Sequence, residues 1–232
     1  MTPHNRTSTF SICYLLLFAF ISWLYLFRPI LEPDFFWHLK TGEWILEHLA
    51  LPANDPFTFT GPQTPSYRQF LILHGYWLAQ VGYAGIVSLF GLWGVLGLRI
   101  ALLAIFYGMF WAAFRKDKTG FVMGLGLTAL FSVFFLENYA LERPQVFTFL
   151  GVSLLVLLYR QVRDHTERFS MASVSALSAV LMFTWANCHG GFIIGQAILG
   201  MILAVEIPRY YCQERRAGHA RNFRLLLALC GA

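Results

Sequence analysis

Three groups of polar residues in a very apolar chain have the types and spacing of a reaction site. The first is Asp34 with His38, one helical turn apart in PDFFWHLKTGEWILEH (33–48). A carboxylate set among Phe35, Phe36 and Trp37 is expected to be partly desolvated, which makes it a better proton acceptor, and an imidazole one turn away would pair with it or share its ligand. Asp34 also stands just before an apolar-periodic run, where Asp caps a helix N-terminus, and spacing alone admits both roles. The second group is ERPQ (142–145), whose Arg143 offers a planar fork suited to phosphate; its plainer reading is an interfacial anchor or a pair with Glu142. The third is WANCHGGF (185–192). Gly190 and Gly191 let backbone approach a ligand closely, and Asn187 and His189 would donate hydrogen bonds to phosphate or sugar hydroxyls, a solvated turn being the alternative.

Other polar residues are read more plainly. Arg99 lies inside an apolar run, where a charge calls for a partner, a polar cavity or a route to the interface. Arg28 and Arg68 read as rim charges, and Asp55 in NDPFTFT (54–60) as a turn former. Glu43 and Glu47, one turn apart, would admit a divalent metal but suit a solvated helix face better, so no cofactor is assigned. The chain has no phosphate loop, HExxH or nucleophile elbow.

The elements that must position these residues belong in a membrane. Of 232 residues 57% are hydrophobic and 12% charged, with mean hydropathy +0.58, which excludes an ordinary water-soluble domain. The apolar runs are continuous rather than alternating, so the fold class is all-α, a polytopic transmembrane helix bundle, and not a barrel. The net charge of +5 comes from short loops between these runs, as the positive-inside rule requires, rather than from a nucleic-acid-binding face. Cys13 and Cys230 fall inside apolar runs, while Cys188 and Cys212 fall in loops placed on opposite sides, so no disulfide is expected. The first run is too long for a signal peptide and no small-residue cleavage site follows it, which predicts a retained helix.

Predicted spans are Phe10 to Ile30, Gly91 to Phe114, Gly120 to Leu136, Val146 to Tyr159, Met171 to Ala186 and Phe192 to Ile207, with a seventh beginning at Leu225, all in a single transmembrane domain. With the N-terminus cytoplasmic, 12 of the 17 Lys and Arg residues lie on the cytoplasmic side. Residues 31–90 then form a long first outer loop. Its Phe35, Phe36, Leu39, Trp44, Ile45 and Leu49 recur at helical spacing and predict a helix in the interface plane, ended by Pro52, Asp55 and Pro56. GPQTP (61–65) reads as a turn, and Gln69 to Phe90, interrupted by His74, Gln80 and Gly82, as a second interfacial helix. Asp34, His38, His74, Arg143, Asn187 and His189 all fall on the outer side of this topology, which predicts an outward-facing polar cavity for a lipid-linked substrate.

At these residues a resemblance emerges. PDFFWHLKTGEWILEH, NDPFTFT, WLAQ, LFGLWGVLGLR, RPQVFTFL and WANCHGGFIIG, in that order, resemble the N-terminal half of bacterial membrane proteins of the GT-C glycosyltransferase superfamily. The resemblance implies seven membrane helices with two interfacial helices in the first outer loop, and inverting transfer of a sugar from a polyprenyl-phosphate donor in the bacterial inner membrane. It also implies that Asp34 is the base and that Arg143 and His189 hold the donor phosphate. Superfamily enzymes are several hundred residues long and this chain ends within its seventh apolar run, so it is expected to be the N-terminal portion of such an enzyme or an inactive fragment. The competing class is a non-catalytic membrane component that binds a lipid-linked saccharide or scaffolds an envelope complex.

Overall fold

A computed structural model describes residues 3–57, 66–114, 118–137, 142–212 and 217–231, and all regular structure among them is helical. In chain order the helices are α1 (Pro3–Phe27), α2 (Pro33–His48), α3 (Tyr67–Gly75), α4 (Trp77–Phe90), α5 (Leu92–Phe114), α6 (Lys118–Glu137), α7 (Val146–Asp164), α8 (Met171–Cys188), α9 (Phe192–Cys212) and α10 (Ala217–Cys230), with a turn of 3-10 helix at Thr166–Arg168. Among the described residues four helices are long and apolar enough to cross a membrane: Leu92–Ala112 of α5, then α7, α8, and Phe192–Tyr211 of α9. The α3–α4 pair also passes if its 52° bend is taken as one broken span, while Ile12–Phe27 and Val122–Phe134 are shorter apolar helices. Helices satisfy their own backbone groups, which is what a hydrocarbon environment demands.

Local chemistry sets several boundaries. The first interfacial helix, α2, stops at His48, before the prolines, because Leu49 takes φ 51° and its N–H closes the last turn on Ile45 O at 2.8 Å. The stretch read as one helix from Gln69 to Phe90 is two. Ser66 and Gln69 form a capping box that starts α3, and the chain breaks after Gly75, where Tyr76 adopts φ −116° and ψ 5°. The last helix begins at Ala217, well before Leu225, because Ala and Arg in the basic stretch are good helix formers. The predicted GPQTP turn and the end of NDPFTFT lie outside the described residues, as does the side chain of Arg68.

The chain divides into two compact units, each built from two stretches: residues 1–43 with 81–146, and residues 44–80 with 147–232. In the first, α1, α5 and α6 pack on one another, with Tyr107 and Ser132 hydroxyls 2.7 Å apart between α5 and α6. Gly94 permits α5 to follow α4 closely, since a Cβ there would lie 2.6 Å from Ile86 Cγ2. In the second, α8, α9 and α10 enclose a core of Leu155, Met182, Trp185, Leu199, Leu225 and Leu229. The last carbonyls of α10 have no partner within their own helix, and α8 supplies one to each of two: Ser178 Oγ donates to Leu229 O at 2.6 Å and Ser175 Oγ to Ala228 O at 3.2 Å.

Candidate functional site

The first unit carries an open ionic cluster at the start of α2. Glu32 is 3% exposed; its Oε1 accepts the Asp34 N–H at 3.4 Å while Glu32 O accepts the Phe35 N–H at 3.2 Å. Glu32, not Asp34, therefore caps this helix N-terminus, which leaves the Asp34 side chain uncommitted to backbone. The same Glu32 Oε1 accepts from Arg143 Nη2 at 2.8 Å, and Asp34 Oδ2 lies 3.9 Å from that nitrogen. Arg143 is held in the turn before α7, where its carbonyl accepts the Val146 N–H at 3.0 Å. Its guanidinium side chain is 39% exposed and bonds through Nη2 alone among the described residues; Nε is sealed from solvent, which leaves Nη1 with donors for an anion.

Two expectations change here. The Asp34 side chain is 63% exposed, so its aromatic neighbours do not desolvate it; Phe35 turns inward instead and packs edge-on against Tyr83, with ring centroids 5.4 Å apart. His38 does not pair with Asp34, whose side-chain partner among the described residues is Arg143; the imidazole is 6% exposed, with the Trp37 ring beside it at 5.0 Å. Glu43 bonds Lys40 at 2.6 Å on an exposed face, and among the described residues no three His, Cys, Asp or Glu gather as a metal-ligand set.

A closed ionic cluster lies in the same unit. Arg99 is fully buried, and its Nη2 donates to Glu142 Oε1 while Nη1 donates to Tyr25 O at 3.3 Å and Arg28 O at 2.9 Å. Of the readings open for Arg99, the buried partner is the one realised, and Glu142 is thereby taken from Arg143. Burial pushes the Glu142 carboxyl above its ordinary range and the adjacent guanidinium opposes that shift.

The second unit gathers uncharged groups around His189, which caps the C-terminus of α8 through its N–H to Trp185 O at 2.9 Å. Its Nδ1 lies 2.7 Å from Thr148 Oγ1 and accepts the Gly191 N–H at 3.0 Å, and its ring stacks on Tyr76 with centroids 5.1 Å apart at 19°. Burial pulls the imidazole below its ordinary value near 6.5, which keeps it neutral. Asn187 joins elements rather than facing out: Oδ1 accepts from Trp77 Nε1 at 2.7 Å and Nδ2 donates to Phe183 O at 2.8 Å. His74 turns onto its own helix, with Nδ1 3.0 Å from Phe70 O and its ring stacked on Phe70 at 4.1 Å.

Of the residues singled out by sequence, the fold thus brings Asp34 to Arg143 and gathers His189 with Tyr76 and Thr148. Glu32, Thr148, Trp185 and Tyr76 were not singled out; only Glu32, a carboxylate two residues before Asp34, carried a sequence signal. These features define a class, an all-helical protein with membrane-length helices and polar clusters at helix ends. Compared with descriptions of known protein families, with curated proteins and with solved structures, the chain matches none.

Proposed function

We propose that the chain is a polytopic membrane glycosyltransferase-like protein that transfers a sugar from a polyprenyl-phosphate donor on the outer side of a bacterial cytoplasmic membrane. In this reading the N-terminus is cytoplasmic, α1 and α6 cross as well, and α2 to α4 form the outer loop at the interface. Asp34 accepts the proton of the acceptor hydroxyl as its oxygen attacks the anomeric carbon. The bond from that carbon to the phosphate oxygen breaks, the electron pair leaves with the phosphate, and Arg143 stabilises the charge that develops. The supporting observation is the Arg143 guanidinium, half-exposed and with donors to spare, 3.9 Å from an exposed Asp34 carboxylate. The test is transfer from labelled polyprenyl-phosphate sugar in membranes: Asp34→Asn is expected to lower it about 100-fold or more, and wild-type transfer in that variant sinks the reading.

A non-catalytic binder of lipid-linked saccharide is the second reading, favoured by the same spare donors on Arg143, which need no base beside them. Retention of labelled donor by the wild-type chain without turnover, lost in Arg143→Gln, would select it.

A further inference from the structure

The hydrogen bonds around His189 fix which ring nitrogen carries the proton. A backbone N–H can only donate, so Gly191 N, 3.0 Å from Nδ1, requires a lone pair on that nitrogen. With no hydrogen on Nδ1, the Thr148 hydroxyl 2.7 Å away is the donor in that contact, and its oxygen keeps lone pairs to accept the Trp185 Nε1–H at 3.3 Å. The single proton of the neutral imidazole therefore sits on Nε2. That nitrogen has no hydrogen-bond partner among the described residues and is not among the sealed, unpartnered polar atoms. The surroundings are built to this geometry: a Cβ at Gly191 would collide with Thr148 Oγ1, and one at Gly151 with the Trp185 ring. Tyr76 lies flat on the imidazole and sets its plane.

We propose that Trp185, Thr148 and Gly191 lock His189 as a neutral Nε2–H donor for an oxygen of a bound ligand, a phosphate or a hydroxyl. Such a ring is not a general base and not a metal ligand, because Nδ1 is doubly engaged and Nε2 carries the proton. Thr148 and Trp185 are positioning residues that act through the ring. The tautomer stands independently of the glycosyl-transfer reading; only the choice of phosphate as the ligand oxygen rests on it.

The test uses the full chain labelled with [15N]histidine in phosphatidylcholine nanodiscs near pH 7.5, with His189→Gln to assign the ring signals. Long-range proton–nitrogen correlations are expected to show Nε2 protonated and Nδ1 bare. Thr148→Val should produce a mixture of both tautomers, and Thr148→Ser should restore the single pattern. A wild-type ring protonated at Nδ1, or a Thr148→Val spectrum identical to wild type, overturns the proposal. Titration with polyprenyl phosphate should then shift the Nε2–H signal. A response to a soluble hexose alone upholds the donor and removes the lipid-phosphate reading, whereas silence toward both overturns the donor role.

Discussion

Glu142 and Arg143 are consecutive residues with opposite fates. Glu142 turns into the first unit and pairs with Arg99, both side chains essentially without exposure, whereas Arg143 turns outward to Glu32 and Asp34 with side chains 39%, 4% and 63% exposed. The chemistry of the two arginine–carboxylate pairs is the same, so burial alone separates their uses. Arg99 also holds the carbonyls of Tyr25 and Arg28 at the end of α1, so its pair is part of how α1 and α5 join. The contact between Arg143 and Asp34, open to solvent on both sides, competes with water and contributes little to stability, which in the proposed reading lets the guanidinium exchange that carboxylate for a ligand phosphate.

Breaking each pair tests this contrast. Glu142→Gln leaves a buried guanidinium without its countercharge and is expected to destabilise the chain by about 3–5 kcal/mol in denaturant unfolding. The double change Arg99→Met with Glu142→Leu should recover most of that loss; failure to recover it would mean that the pair does more than neutralise itself. Arg143→Gln should shift the weight to function, with about 1–2 kcal/mol of stability lost because Glu32 stays buried without its countercharge and about 100-fold less transfer from a polyprenyl-phosphate sugar. Glu32→Gln sits between them, because Glu32 is buried but its partner is not. A loss of about 2 kcal/mol is expected, the scale of a hydrogen bond to a charged group.

The uncharged cluster of the second unit gives the smallest effect and the sharpest contrast in sign. The His189 imidazole is held below its ordinary value, so between the folded and unfolded values the unfolded chain binds more protons. Its contribution is therefore complete above pH 6.5 and is lost as pH falls toward the folded value. Unfolding followed from pH 7.5 to pH 5 should show this slope in wild type and a shallower one in His189→Gln, judged against the ordinary imidazole value near 6.5.

Much of the helical framework was legible because apolar runs announce themselves: α5, α7 and α8 start within one residue of their predicted positions. The break at Tyr76 and the early start of α10 were not, since both occur where no long apolar pattern is interrupted. The candidate site was legible in its residues but not in its pairings. Asp34 and Arg143 could be named from type and flanking sequence, but which carboxylate Arg143 would take could not, because Glu142 is its neighbour in sequence while Glu32 is 111 residues away. Asn187 and His189 looked alike as donors in one short loop, yet Trp77 and Phe183 occupy the first while the second keeps Nε2 open.

By itself the sequence determined that this chain is helical, suited to a membrane, and concentrates its polar groups at helix ends, because hydrocarbon tolerates little else over runs of that length. Only the tertiary structure decided which of those groups are buried against a partner and which stay available. Exposure and partner distance arise from packing between segments far apart in the chain, and local patterns of residue type do not encode them.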